Sequence, residues 1–350
     1  MEICKKIMKE YDMFFIRVDS NQTISGGHIM RCLAIAKALI INGKDVTFLI
    51  ADDNPVEVLK QNRVSYVILN SDWQDLMSDL EQTIKVLSQE NDPYLLIDTY
   101  CITKEYVEGL KAYAKVGYLG SKSEYLGNLD FLINYSSYID YNYYKNNYFN
   151  GTKLLLGISY APLRDEFQNQ EPHYREQVRN ILITTGNTDN DGMVGLLLDR
   201  LRYLLKEKNI IANVIIGRMF NNKELLHVKY DDNSNVKLYE NVSSMSTIMR
   251  NCDLAISANG TTIYELSAMA IPTISFAMVE EQVKSAEGLD ALRVIDYCGT
   301  SYTDVNKCVK AIIDKALYYI ENYDNRIRLA QNAHNLIDGN GCQKIIDELF

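Results

Sequence analysis

One stretch of the sequence decides the fold, and it reads Phe14-Phe15-Ile16-Arg17-Val18-Asp19-Ser20-Asn21-Gln22-Thr23-Ile24-Ser25-Gly26-Gly27-His28-Ile29-Met30-Arg31. It begins as an apolar run, passes through a polar loop and reaches two glycines before a helical pattern starts. A strand, a glycine turn and a helix N-terminus that carries a histidine are typical of a site for an anionic group. We therefore predict that Gly26, Gly27 and His28 belong to a binding site.

The rest of the chain repeats this order of elements. Apolar residues recur at helical spacing from Ile29 to Ile40, Gly43 ends that helix, and Val46–Ile50 is the next strand. Strands and helices alternate up to a polar stretch near residue 170 and then alternate again, which is typical of parallel sheets. We predict an α/β protein with two doubly wound, Rossmann-like domains facing a cleft. The predicted bounds are 1–165, a linker at 166–178, and 179–350, and the Tyr- and Asn-rich residues 135–150 are expected to be irregular.

The composition excludes several classes of protein. The chain has 350 residues, of which 47% are hydrophobic, and its net charge of -10 argues against a general nucleic-acid binder. The seven cysteines are scattered and form no C-x-x-C pair, so we expect reduced thiols in a cytoplasmic protein. Signal peptides and membrane spans are not indicated. The P-loop and H-E-x-x-H patterns are also absent, and we expect neither a metal nor a cofactor.

The glycine turn before His28 does not fit a dinucleotide-binding site. The G-x-G-x-x-G fingerprint is absent, and an imidazole stands where a glycine should let the backbone approach pyrophosphate. A lone histidine at a helix start is more often structural than catalytic, but the polar loop beside His28 favours chemistry. A helix N-terminus favours the neutral imidazole, the form that takes a proton from water or a hydroxyl. We predict that His28 is a general base.

Polar side chains also end two strands of the first domain. Arg17 and Asp19 lie on one side of the first strand near its carboxyl end, where ligands bind in such sheets. A local ion pair and a direct role in the site are about equally supported. Asp98 and Tyr100 end a later strand, where Tyr100 could donate to a phosphate or sugar oxygen. A capping Asp98 and a packing Tyr100 are nearly as well supported.

A second turn before a helix occurs in the second domain. Gly260, Thr261 and Thr262 follow a strand, so their N–H groups can face a pyrophosphate. Glu265, one turn into the helix, can accept hydrogen bonds from two vicinal ribose hydroxyls, and a capping role is its alternative. Thr184–Asp189 is a third strand-to-helix turn of this kind.

These motifs together resemble a known family, the bacterial UDP-2,4-diacetamido-2,4,6-trideoxy-β-L-altropyranose hydrolases of pseudaminic acid biosynthesis. The resemblance covers most of the chain and rests on Arg17-x-Asp19, Ser25-Gly26-Gly27-His28-x-x-Arg31-Cys32-Leu33-Ala34, Asp98-x-Tyr100, Tyr160–Phe167, Thr185–Asp189, Ala258–Leu266 with Pro272 and Gln282, and Ile337–Gly341. The fold of that family is similar to the GT-B glycosyltransferases that make the peptidoglycan lipid intermediate.

The resemblance implies a hydrolase that splits the glycosidic C–O bond of a UDP-sugar with inversion, in the synthesis of surface glycans such as those of flagellin. His28 would be the base, with Asp19 and Tyr100 also at the reacting centre. The remaining site residues would bind the substrate, and they are Arg17, Gly26, Gly27, Arg31, Asn187, Asn259, Gly260, Thr261, Thr262, Glu265 and Gln282. The expected partner is this small molecule alone, bound by a monomer.

Three departures from the family pattern bear on the sugar. Asn187 and Asn259 stand where the family has glycines, and Thr99 replaces a histidine. An inverting glycosyltransferase remains the alternative enzyme, because a hydroxyl acceptor could take the place of water on the same scaffold. A non-catalytic nucleotide-sugar binding subunit is the alternative from another class.

Overall fold

The computed structural model describes residues 13–21 and 27–350, and it divides the chain into two units. The first unit contains the described residues up to Tyr135, Ile139–Arg164 and Cys342–Phe350. The second unit contains Ser136–Tyr138 and Asp165–Gly341. Both are α/β units built on a parallel sheet, as the sequence predicts.

The first unit is built on seven parallel strands in the order β3-β2-β1-β4-β5-β6-β7. The strands are β1 (Met13–Val18), β2 (Asp45–Ile50), β3 (Ser65–Ile68), β4 (Tyr94–Asp98), β5 (Lys115–Leu119), β6 (Phe131–Asn134) and β7 (Lys153–Leu156). The connecting helices are α1 (Gly27–Ile41), α2 (Val56–Gln61), α3 (Leu80–Leu87), α4 (Lys104–Leu110) and α5 (Tyr141–Asn147). Helices on both faces bury the central strands, which explains their nearly continuous apolar sequences.

The second unit is built on six parallel strands in the order β10-β9-β8-β11-β12-β13. The strands are β8 (Asn180–Thr184), β9 (Ile211–Ile215), β10 (Val236–Tyr239), β11 (Leu254–Ala258), β12 (Thr273–Ala277) and β13 (Asp296–Thr300). Its helices are α6 (Met193–Lys208), α7 (Lys223–Tyr230), α8 (Met245–Met249), α9 (Thr262–Ala268), α10 (Val283–Ala291), α11 (Val305–Glu321) and α12 (Tyr323–Leu336), and the last helix of the chain is α13 (Gly341–Leu349).

The order of strands reverses once in each sheet. β1 lies between β2 and β4, and β8 lies between β9 and β11. The first strands after β1 and β8 are added on one side of them, and the later strands are added on the other side. In doubly wound sheets, ligands bind outside the carboxyl ends of the strands at this reversal. Most of the candidate residues lie at or after the ends of β1, β4, β8 and β11, which are the strands at the two reversals, and Gln282 follows the neighbouring β12.

The structure differs from the expected domain bounds at three segments, of which the shortest, residues 136–138, belongs to the second unit. Residues 342–350 belong to the first unit, because Cys342, Ile345 and Ile346 of α13 pack into its core. Residues 166–178 belong to the second unit, where the buried Arg326 of α12 donates to two backbone carbonyls of this segment.

Three elements were not expected from the sequence. The Tyr- and Asn-rich segment, expected to be irregular, contains α5, whose first turn is capped by the Asp140 carboxylate accepting from the Tyr143 N–H at 3.0 Å. The helix α7 and the strand β13 are the other two. β13 is an edge strand whose five residues are all half-buried, so its sequence has no alternation of apolar and polar residues. It also contains Gly299 at φ +89°.

Candidate functional site

The reversal point of the first sheet brings His28 and Asp98 together. Asp98 is the last residue of β4, which lies beside β1, and His28 is the second residue of α1. The His28 Nδ1 and Asp98 Oδ1 atoms are 2.6 Å apart, and the two residues are 5% and 1% exposed. The pair is therefore shielded from water, which strengthens its hydrogen bond.

Four donors surround the Asp98 carboxylate. Arg31 binds it with two nitrogens, Nε at 2.7 Å from Oδ2 and Nη2 at 2.5 Å from Oδ1. The Cys32 thiol donates to Oδ2 at 3.2 Å, and His28 is the fourth donor. Burial raises the pKa of Asp98, but the charge of Arg31 and the hydrogen bonds from Arg31 and His28 outweigh it, so this pKa lies below its ordinary value. Asp98 is therefore an ionised carboxylate at neutral pH.

The ionised carboxylate determines which nitrogen of His28 can act as a base. A carboxylate only accepts hydrogen bonds, so Nδ1 carries the proton and donates it to Asp98. The neutral imidazole then has its lone pair on Nε2, the arrangement in which a histidine takes a proton from a reacting group. The Arg31 Nη2 atom lies 3.0 Å from Nδ1 because both atoms donate to the same carboxylate oxygen.

Two tyrosines border this pair. The ring of Tyr100 meets the imidazole of His28 edge to face, with 4.7 Å between the ring centroids, and Tyr100 is 71% exposed. Tyr100 is thus close to His28 and open to a ligand. Tyr135 contacts Arg31, and its hydroxyl accepts from Arg31 Nη1 at 3.1 Å. Arg31, predicted to bind substrate, is held by Asp98 and Tyr135.

Arg17 and Asp19 form the ion pair that the sequence left as an alternative to a direct role. Arg17 is fully buried, with Nη1 at 2.5 Å from Asp19 Oδ2 and Nε at 2.9 Å from Asp79 Oδ2. The other oxygen of Asp19 accepts from the Ala51 N–H at 2.8 Å, and burial raises the pKa of Asp19 although Arg17 opposes it. Asp79 also accepts from the Tyr106 hydroxyl at 2.6 Å. These contacts join the loops after β1 and β2 to the start of α3, and Arg17 exposes no surface to a ligand.

The reversal point of the second sheet holds the other predicted residues. Asn187 and Gly260 are exposed in the loops after β8 and β11, and Thr261 and Thr262 lie at the start of α9. The loop after β8 packs closely against Gly217, which lies two residues beyond the end of β9. A Cβ atom at Gly217 would lie 2.2 Å from the Gly186 carbonyl oxygen, so only glycine leaves room for this loop.

Asn259 and Gln282 are linked to each other. The Asn259 side chain is buried and donates from Nδ2 to the Gln282 carbonyl at 3.2 Å, while Gln282 Oε1 accepts from the Met278 N–H at 2.8 Å. The Gln282 side chain therefore bonds to the backbone of its own turn, residues 278–282, in this structure. Glu265 is half-buried in the first turn of α9.

The structure shows two placements that the sequence reasoning did not predict: Asp98 lies in the candidate site, and Asp79 lies outside it, in the ion-pair cluster of Arg17. Asp98, for which the sequence supports a capping role, is the carboxylate partner of His28. Asp19, predicted to be catalytic, pairs with Arg17 instead. The clue was the position of Asp98 at the end of a strand, but only the strand order shows that this strand neighbours β1. Asp79 gave no signal in the sequence. Gly27 is exposed at the start of α1, and Gly26 lies outside the described residues.

Two searches of the described part of the chain, residues 13–21 and 27–350, gave no result. None of its helices combines the length and the apolar character that a membrane crossing requires. Histidine, cysteine and acidic side chains do not come together there in groups of three or more that could hold a metal ion.

The comparisons with known sequences give distant relatives. No family model matches the chain. It is 27% identical to the UDP-2,4-diacetamido-2,4,6-trideoxy-β-L-altropyranose hydrolase of Campylobacter jejuni over 175 residues, which are 49% of this chain and 60% of that protein. It is 24% identical to the spore coat polysaccharide biosynthesis protein SpsG of Bacillus subtilis over 200 residues, 55% of this chain and 57% of that protein. The chain spans about half the length of the curated relatives that it matches.

The comparisons with solved structures cover nearly the whole chain. A glycosyltransferase from Rickettsia africae matches with a TM-score of 0.66 at 15% identity, covering 97% of both chains. MurG from Acinetobacter baumannii matches with a TM-score of 0.65 at 15% identity, covering 96% of this chain and 98% of that one. The GT-B fold predicted from the sequence is confirmed, and the similarity to the named hydrolase supports the resemblance that the motifs indicated.

Proposed function

We propose that this chain hydrolyses a UDP-sugar of the UDP-2,4-diacetamido-2,4,6-trideoxy-β-L-altropyranose type to UDP and the free sugar. The observation that carries the proposal is the buried His28–Asp98 pair, whose 2.6 Å contact leaves Nε2 of His28 as the basic atom. The names of the distant relatives suggest an enzyme that acts on nucleotide-sugars in polysaccharide or pseudaminic acid biosynthesis. The assignment to hydrolysis, as opposed to glycosyl transfer, is part of our proposal.

The reaction uses water as the nucleophile. The water oxygen attacks the anomeric carbon, His28 Nε2 takes a water proton, and the bond from this carbon to the phosphate oxygen breaks. The bonding electrons leave with UDP, so the configuration at the anomeric carbon inverts. Asp98 stabilises the imidazolium that forms, whereas Asp19, expected at the reacting centre, pairs with Arg17. Tyr100 would contact the substrate near its phosphates, and Gly26 and Gly27 are assigned to substrate binding from the sequence motif alone.

The nucleotide part of the substrate is assigned to the second unit. Gly260, Thr261 and Thr262 would donate to the pyrophosphate and Glu265 would accept from the ribose hydroxyls, while Asn187, Asn259 and Gln282 would border the phosphates and the sugar. These roles rest on the resemblance of the segment 258–266 to the family and on its position at the reversal of the sheet. We further propose that the protein acts as a monomer in the cytoplasm, where reduced cysteines such as those described here persist.

One experiment separates the proposal from its alternatives. The purified protein is incubated with the diacetamido UDP-sugar in ¹⁸O-labelled water, without any acceptor, and UDP and free sugar are measured by mass spectrometry. We expect release of UDP and a label in the sugar. A label in UDP would show cleavage at phosphorus instead. UDP released only after a hydroxyl acceptor is added would show a glycosyltransferase, and binding without release under either condition would show a binding subunit.

The His28→Ala variant tests the base in the same assay. Loss of a general base lowers kcat by about 10²–10⁴-fold, while UDP binding measured by calorimetry should persist. A variant that keeps nearly the wild-type rate would show that another group activates the water.

A further inference from the structure

One buried group in the first unit has no part in the reaction as described above. The Cys32 side chain is fully buried on α1, and its sulfur lies 3.2 Å from Asp98 Oδ2. Burial, and secondly the charge of Asp98, raise the pKa of Cys32 well above its ordinary value. The group is therefore a neutral thiol that can donate a hydrogen bond to the carboxylate.

Cys32 and Arg31 hold the same carboxylate in different ways. The Arg31 side chain is long and 19% exposed, so its guanidinium can exchange hydrogen bonds with water. The thiol has one side-chain torsion and no exposure, and it is fixed to the helix that also carries His28. A thiol is a weak donor, but a hydrogen bond to a charged group is stronger than one between neutral groups.

We propose that Cys32 is a positioning residue, whose thiol holds Asp98 in the orientation in which Oδ1 receives the Nδ1 proton of His28. The consequence for the reaction rests on the proposed function, whereas the effect on the His28–Asp98 hydrogen bond does not. Without the thiol donor, Oδ2 would keep only the Nε of Arg31, water would enter the space that the sulfur fills, and the carboxylate would be held less firmly in its plane.

At position 32, a comparison of the serine variant with the alanine variant separates the effect of hydrogen-bond donation from the effect of packing. The two side chains differ by one hydroxyl, so Cys32→Ser keeps a donor that Cys32→Ala lacks. We expect the kcat of the serine variant to exceed that of the alanine variant by about three- to tenfold, which corresponds to part of the free energy that a hydrogen bond to a charged group contributes. The KM of the two variants should be equal. Cys342 is the matched control, because it is equally buried in the same core cluster and its sulfur lies 3.8 Å from the Leu163 carbonyl oxygen. There, serine and alanine should give equal kcat.

A measurement without substrate tests the inference independently of the proposed function. The proton on His28 Nδ1 gives a far-downfield NMR signal when it is held by a carboxylate, and its loss in His28→Gln assigns it among the four histidines of the chain. We expect a sharp signal in the wild type and in Cys32→Ser and a broadened one in Cys32→Ala. If Cys32→Ala does not fold, a broadened signal in Cys32→Ser overturns the inference, and a sharp one supports it.

Equal kcat and equally sharp signals in the two Cys32 variants would overturn the proposal for Cys32 and leave the hydrolase intact. If the wild type releases no UDP, the proposed function fails, and the NMR signals alone decide the role of Cys32.

Discussion

Replacement of Asp98 by asparagine tests the centre of the candidate site. An amide has two N–H groups on one of its terminal atoms, whereas all four partners of the Asp98 carboxylate are donors. The amide nitrogen must therefore face either Arg31 and Cys32 or His28 and Arg31. In the second arrangement it donates to His28 Nδ1, which moves the imidazole proton to Nε2 and removes the base.

Two quantities should change in Asp98→Asn. The kcat for UDP release should fall by about 10²–10⁴-fold, the range for a lost general base. The free energy of unfolding, measured with urea, should fall by about 3 kcal/mol, since breaking a buried ion pair leaves a charge without its partner. We take the lower end of the range for buried pairs because the Arg31 side chain keeps 19% exposure to water.

Asp79→Asn is the matched control for this variant. Asp79 is also a fully buried carboxylate of the first unit, and it is paired with Arg17 as Asp98 is paired with Arg31. Its replacement should lower the free energy of unfolding by a similar amount and leave kcat within about threefold, because no charge at the proposed reacting centre changes. Equal losses of kcat in the two variants would refute the orienting role of Asp98 and point to a general effect of stability. An Asp98→Asn variant with nearly normal kcat would refute it as well.

Three further variants test other parts of the structure. Gly217→Ala should displace the loop after β8, because its Cβ would lie 2.2 Å from the Gly186 oxygen, and should weaken UDP binding in calorimetry; unchanged affinity would contradict the assigned role of this loop. Arg326→Met should lower the free energy of unfolding by about 3 kcal/mol in urea, because three backbone carbonyls lose their donor, and a loss under 1 kcal/mol would contradict this. The partly exposed His227 has its pKa raised by hydrogen bonds with Asp231 and Glu240, so its stabilising effect is full below the ordinary pKa and is lost as pH rises through the raised pKa. His227→Gln should therefore unfold more easily than the wild type at pH near 6 but equally at pH near 9, and a constant difference would refute this account.

The sequence predicts most of the fold because the relevant signals are local. The helical spacing from Ile29 to Ile40 and the stop at Gly43 predict α1, which runs to Ile41, and Gly43 has the expected positive φ of +77°. The helix α5 was missed because its tyrosines and asparagines have no helical apolar spacing. Its stability comes from the Asp140 cap and from contacts such as the stacking of Tyr144 on Tyr148.

The candidate site depends more on long-range pairing, and the sequence predicts less of it. His28 could be singled out by its place after a glycine turn. The choice between Asp19 and Asp98 as its partner depends on which strand lies beside β1, and 70 residues separate His28 from Asp98. Two carboxylates at strand ends look equivalent in a sequence, and only the fully buried Arg17 shows that Asp19 has a different partner.

The return of α13 to the first unit has a consequence for synthesis on the ribosome. A chain is made from its N-terminus, and domains generally fold as they emerge. Here three buried side chains of the first core, Cys342, Ile345 and Ile346, emerge only after the entire second unit. The first unit therefore waits with an incomplete core while the second unit folds, and the helix bearing His28 gains its last packing neighbours only when residues 342–350 arrive.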